Sequence, residues 1–197
     1  MGRIGVLKLL CAIGFLVVLG SNVSTISRWS ESRGVYDDVC YLRQAHLFER
    51  FGLRGIDTNL TFDDDHYLKG KLKAIGFADW NDPKRVPCHT FIPPADKYVL
   101  QYPPGTGFIL SLFPAGSQLI PLYVLTSVVA VCFSLLALTY ASTLYQVMLV
   151  AAFGDVAIYL MINPTKASYS VAPTMMVCAL VGFLTAKLFV VRQQRRL

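Results

Sequence analysis

Apolar residues fall in long blocks along this chain and do not alternate with polar ones. Four blocks are mostly apolar: Ile4 to about Val23, about Pro121 to Ala141, about Tyr145 to Ile162, and Val171 to Val191. A helix of about 20 residues crosses the roughly 30 Å hydrocarbon core of a bilayer. Lipid imposes the helix because it offers no partners to backbone N–H and C=O groups. The expected fold class is an all-α integral membrane protein with about four transmembrane helices and one large extracytoplasmic loop. Residues 1–23 form the first span, 24–104 the loop, 105–116 a short re-entrant or interfacial helix, and 117–197 three spans with a basic tail.

The loop carries its own periodicity. Val39, Leu42, Ala45, Phe48 and Phe51 recur at steps of three, which predicts an amphipathic helix lying near the membrane surface. It starts at Asp37 and Asp38, where a carboxylate favours the positive helix end, and stops at Gly52. Asp57 to Asp82 reads as polar and irregular. Pro93-Pro94 and Pro103-Pro104-Gly105 punctuate the end of the loop. The apolar stretch to Phe113 is too short to span, so Gly105–Phe113 is expected as a short helix dipping into the outer leaflet or opening a kinked second span.

Charge sets the orientation. Arg3 and Lys8 flank the first block, and Lys187, Arg192, Arg195 and Arg196 surround the end of the fourth. Basic flanks stay inside, so both termini are expected in the cytoplasm and residues of the loop outside. Lys166, in the other outer turn, runs against this. The first block also has the length of a signal peptide, but Leu19 and Ser21 make a poor cleavage pair, which favours an anchor.

Composition agrees. The chain of 197 residues is 54% hydrophobic and 15% charged, with mean hydropathy +0.51. A soluble domain carries about 25% charged residues. Eleven of the twelve acids lie between Glu31 and Asp96, so the net charge of +6 is a sum over two compartments. No basic stripe with interleaved aromatics is present, and no nucleic-acid partner is expected.

Candidate chemistry is concentrated in the loop. Cys40 and Cys88 are its only cysteines, and an oxidising compartment favours a disulfide between them over two free thiols. Asp63, Asp65 and His66 offer oxygen and imidazole ligands to a divalent cation, or else form a solvated acidic turn neutralised by Lys69, Lys71 and Lys73. His89 is a second candidate ligand or an ordinary loop histidine. Asn22-Val-Ser24 and Asn59-Leu-Thr61 match the glycosylation sequon. Tyr140, Tyr145 and Tyr159 fit an aromatic belt at span ends. Asp155, in mid-span, costs about 2.5–3.5 kcal/mol to insert and is expected to face a partner or a cavity.

Three segments together resemble a known superfamily. Asp37-Asp-Val-Cys-Tyr-Leu-Arg-Gln-Ala-His-Leu-Phe-Glu-Arg-Phe-Gly52 is similar to the acidic signature in the first outer loop of GT-C membrane glycosyltransferases. Tyr102-Pro-Pro-Gly105 resembles the segment that leads those enzymes back into the membrane. Asn163-Pro164 with Ser168 and Ser170 resembles their third-to-fourth span connection. The resemblance implies transfer of a sugar from a polyprenyl-phosphate donor on the outer face. It places Asp37 at the active centre, as base or as metal or acceptor ligand, with Asp38 in second position. Arg43, Lys97 and Tyr102 are then the expected substrate contacts, with Arg33 and Lys69 as further cations. Members carry more spans than the four read here, and Ala172-Pro173 stands where many have an acidic residue. The expectation is therefore an enzyme, a split or truncated half of one, or an accessory subunit that works with a membrane partner or as a homo-oligomer.

Overall fold

A computed structural model describes residues 2–30, 36–57, 59, 63–82, 85–163 and 168–194. Arg33, Lys166, Arg195, Arg196, Pro164, and Leu60 and Thr61 of the second sequon lie outside the described residues. The helices are α1 (Arg3–Ile26), α2 (Tyr36–Phe51), α3 (Tyr67–Ala74), α4 (Gly105–Leu110), α5 (Leu119–Tyr140), α6 (Leu144–Val156) and α7 (Val171–Gln194). One antiparallel hairpin joins β1 (His89–Ile92) to β2 (Lys97–Leu100), with His89 opposite Leu100 and Ile92 opposite Lys97. The chain divides into two compact units. One contains Met1–Arg28, Tyr123–Ala167 and Val171–Leu197, and the other Trp29–Leu122 and Ser168–Ser170.

The first unit is apolar. Three helices, Arg3–Ile26, Leu119–Tyr140 and Val171–Phe189, are long and apolar enough to cross a membrane. The apolar stretch Leu144–Leu160 is shorter. The sequence pattern reads four spans of equal standing. Among the described residues the structure holds three of that length, because the third block is bounded tightly at both ends. Thr143 and Gln146 close a capping box at its start. A π-helical turn over Ala157–Met161 ends it. Large apolar side chains point outward from these helices, with Phe153 72% and Leu188 71% exposed. Such an inverted surface suits lipid and not water.

Phe15, Val131, Leu138, Ala141, Val147 and Ile158 form this unit's core. Gly154 is required there. A Cβ at that position would lie 2.8 Å from the Phe15 ring and from Ser134 Oγ. A small residue allows this close helix approach, as is usual where lipid supplies no hydrophobic drive.

Asn22 is the polar centre of the unit. Its Nδ2 donates to Ser127 Oγ at 3.0 Å, to Ile158 O at 3.0 Å and to Ile162 O at 2.7 Å. Its Oδ1 accepts from Asn163 Nδ2 at 2.7 Å. An amide nitrogen has two hydrogens, so one is shared between two acceptors. The π-helical turn is the reason these carbonyls need a partner, since it breaks the regular i to i−4 ladder. Asn22 is 1% exposed, which closes the first sequon as a glycan acceptor.

The second unit is polar and is organised around α2. This helix is not the one-sided surface helix that the spacing predicts. Asp38 through Ala45 are all buried, including Arg43 and Gln44 at 1% exposure. Gly107 lets α4 close on α2, because a Cβ there would meet Gln44 at 2.5 Å. Phe48 meets Phe108 edge-on, with centroids 5.5 Å apart. Gly52 takes the left-handed conformation (φ 58°) expected of a helix stop, and a 3-10 turn follows over Gly52–Ile56.

The polar stretch from Asp57 to Asp82 is not wholly irregular, because it contains a helix. In α3, Leu68 and Leu72 bury against Val39, with Ile75, Phe77, Trp80 and Val86 around them. Only two apolar residues four apart carry it, too weak a period to stand out among Lys69, Lys71 and Lys73. The hairpin also departs from the loop expected there. Its strands are four residues each, and the Pro-Pro pair forms its turn. Cys40 and Cys88 are joined as expected, with Cα atoms 6.4 Å apart. The bridge closes 48 residues and is worth about 4 kcal/mol in the chain-entropy model.

Candidate active site

The two acids of the pair have separate environments. Both lie in the first turn of α2. Asp38 is 4% exposed and accepts from the Tyr169 amide at 3.1 Å and from Ser168 Oγ at 3.3 Å. A carboxylate held by neighbouring donors in a buried place is anchored, and it fixes residues 168–170 to the head of the helix. Tyr169 is itself fully buried, and its hydroxyl accepts from Trp29 Nε1 at 3.2 Å.

Asp37 is exposed and hydrogen-bonded to the Tyr102 phenol. That bond, with smaller effects of burial and of the Asp37 charge, pushes the Tyr102 hydroxyl up to about 12. Tyr102 stands just after β2, ahead of Pro103-Pro104, and its ring lies 5.2 Å from that of Tyr41. A carboxylate, a phenol and a second aromatic ring thus meet at the start of α2. This group can accept a proton, orient a hydroxyl and offer an apolar face.

The other expected contacts fall elsewhere. Arg43 is 1% exposed, so no substrate reaches it. Burial pulls its guanidinium below its ordinary value, while the charges of Asp63 and Asp65 work the other way. Lys97 is exposed at the start of β2, opposite Ile92.

Asp63, Asp65 and His66 do not form a ligand set among the described residues. Asp63 receives the backbone N–H groups of Leu68 at 2.7 Å and Lys69 at 3.0 Å, so it caps α3. Asp65 Oδ2 lies 2.6 Å from His46 Nε2 and 2.8 Å from Arg50, and Oδ1 accepts from the Tyr67 amide. Asp64 pairs with Arg50 at 2.7 Å. Protein donors already engage these carboxylate oxygens, and the set does not fit a divalent cation. Burial pushes the Asp65 carboxyl up, but the His46 and Tyr67 hydrogen bonds and the nearby charges hold it below its ordinary value.

Arg50 pairs with the acidic turn and His46 hydrogen-bonds to it, where the spacing assigns the lysines. Lys69 and Lys73 lie over the Trp80 ring and Lys71 over that of Tyr67. His46 stacks on Tyr67 with centroids 4.0 Å apart. His89, with the two bridged cysteines, forms a tight group within 4.8 Å, but the disulfide consumes both sulfurs. Burial keeps its imidazole below its ordinary value.

Asp155 lies in the first unit. Its Oδ1 is buried without a hydrogen-bond partner among the described residues. Sequence reasoning missed Asn22 as a packing centre and His46 as an anion partner. A lone asparagine near the end of an apolar run was the available signal for the first. No family model, no curated protein and no solved structure matches the chain.

Proposed function

We propose that the chain is a GT-C-like glycosyltransferase, or the split or truncated half of one, acting on a polyprenyl-phosphate-linked sugar at the outer face of the membrane. In this reading the apolar unit crosses the bilayer four times, both termini are cytoplasmic, and residues 24–104 lie outside. The observation that carries it is the exposed Asp37 carboxylate, hydrogen-bonded to Tyr102 beside an anchored Asp38.

The acceptor hydroxyl gives its proton to Asp37 as its oxygen attacks the anomeric carbon. The bond from that carbon to the phosphate breaks, and polyprenyl phosphate leaves with the electron pair. Tyr102 orients the Asp37 carboxylate and, with Tyr41, offers an aromatic wall. Asp38 is a positioning residue that holds the first turn of α2 in place. Lys97 is a mobile cation for the phosphate.

The second reading is an assembly subunit that retains the fold without catalysis. The Asp155 oxygen without a partner favours it, because a carboxylate in lipid calls for a donor from another chain or a second copy. Turnover of a polyprenyl-phosphate hexose in proteoliposomes separates the two. The transferase reading expects turnover that Asp37→Asn lowers at least 100-fold with insertion intact. Turnover unchanged in Asp37→Asn overturns it.

A further inference from the structure

A cavity of about 310 Å³ opens on the second unit, and none of Asp37, Asp38, Tyr41, Lys97 and Tyr102 lines it. Its size lies at the lower end of the roughly 300–1,000 Å³ range of small-molecule sites. Trp80 gives it one aromatic wall, and His66, Lys69, Asn81 and Asp82 line it with polar groups.

Two of its lining residues have unusual backbones. Asp63 and His66 both lie in the left-handed region, at φ 56° and 57°. Such conformations are strained for residues other than glycine and persist only where surrounding contacts enforce them.

The charges of the cavity are unbalanced. Asp63 is taken up by the α3 amides. Asp82 pairs with Arg85 at 3.6 Å, and Arg85 also reaches Asp79 at 3.2 Å. The acids are therefore already compensated. Lys69, in the lining, and Lys73, one turn on and outside it, have no carboxylate partner among the described residues. Their ammonium groups rest 5.4 and 5.2 Å from the centre of the Trp80 ring. A cation over indole is only weakly stabilised at an exposed site. An anion brought to this wall offers both ammoniums a stronger partner.

We propose that this cavity binds an anionic pyranose, a sugar ring that carries a carboxylate. The apolar C–H face of the ring lies against Trp80. Its hydroxyls meet Asn81, His66 and Asp82, each of which offers or accepts a hydrogen bond. Its carboxylate takes the charge of Lys69 and Lys73. The inference shares no residue with the Asp37 site and stands or falls separately from the transferase reading.

Saturation-transfer difference NMR on the full chain in detergent micelles tests it, with D-glucuronate as probe and D-glucose and acetate as controls. The expected result is saturable glucuronate binding, at least fivefold tighter than glucose, that acetate at equal concentration does not displace. Lys69→Gln/Lys73→Gln, on the exposed side of α3, should erase the preference for glucuronate while circular dichroism stays unchanged. Trp80→Ala should abolish binding of both sugars, and Asp37→Asn should alter neither. No saturable binding, equal binding of glucose and glucuronate, displacement by acetate, or an unaltered preference in the double lysine variant would overturn the proposal.

Discussion

The two units bury polar groups of different chemistry. In the apolar unit the buried centre is neutral: one asparagine amide binds a hydroxyl, two backbone carbonyls and a second amide. In the polar unit ions are buried or half-buried beside the amides of Gln44 and Gln118: Asp38, Arg43, and Asp65 between His46 and Arg50. The difference follows from the solvent each surface suits. An ion moved into a low-dielectric place loses several kcal/mol of hydration, whereas a neutral amide loses less and recovers it by hydrogen bonding. Asp155 is the exception in the apolar unit, and its Oδ1 is buried there without a hydrogen-bond partner among the described residues.

The largest expected effect breaks the polar unit and spares the other. Cys40→Ser/Cys88→Ser should destabilise it by about 4 kcal/mol. Near-ultraviolet circular dichroism from its tyrosines should melt earlier, while the helicity of the apolar unit in micelles stays constant. Next is Asn22→Leu. Polar contacts between membrane helices average about 0.6 kcal/mol each, so the loss of four should cost about 2 kcal/mol in the apolar unit. Denaturation of helicity in mixed micelles measures it, and an unaltered midpoint would remove Asn22 as the centre.

A smaller effect is acid sensitivity confined to the polar unit. Asp65 titrates lower in the fold than its unfolded value of about 3.9. Its contribution is fully present above that value and is lost as pH falls through the folded one. His89, held neutral by burial, acts the same way below its unfolded value of about 6.5. The melting midpoint of this unit should therefore begin to fall below about pH 6.5, and Asp65→Asn should flatten the limb below about pH 4. The smallest effect is spectroscopic. Tyr102 should ionise near 12 at 295 nm, in the difference between wild type and Tyr102→Phe. With Asp37→Asn it should return towards the ordinary value near 10.

The same contrast decides what was legible in the sequence. The three membrane-length helices followed from block hydropathy, because lipid permits one conformation and the signal accumulates over twenty residues. The end of α2 at the Gly52 stop and the Cys40–Cys88 bridge were also legible, each set by local chemistry. The burial of Arg43 was not. A guanidinium in a period-three pattern reads as solvated, and the charges of Asp63, Asp65 and Asp64 that offset its burial come from elsewhere in the chain. The hairpin and α3 were missed for a related reason. Both are short, and α3 is held by the Leu68–Leu72–Trp80 cluster and not by local propensity. Asp37 and Asp38 were found as a pair, but they lie inside the first turn of a helix that begins at Tyr36, not at its cap, and adjacency said nothing of their division. That required Tyr169 and Tyr102, which lie 131 and 65 positions away from them.

Their division is the central claim, and one paired measurement tests it most directly. Asp37→Asn and Asp38→Asn are each reconstituted, and the melting midpoint and the turnover of a polyprenyl-phosphate hexose are measured on the same preparations. The account predicts that Asp37→Asn keeps the wild-type midpoint and loses turnover, while Asp38→Asn lowers the midpoint. Full turnover in Asp37→Asn, or a collapsed fold in Asp37→Asn beside an unaltered one in Asp38→Asn, would contradict it.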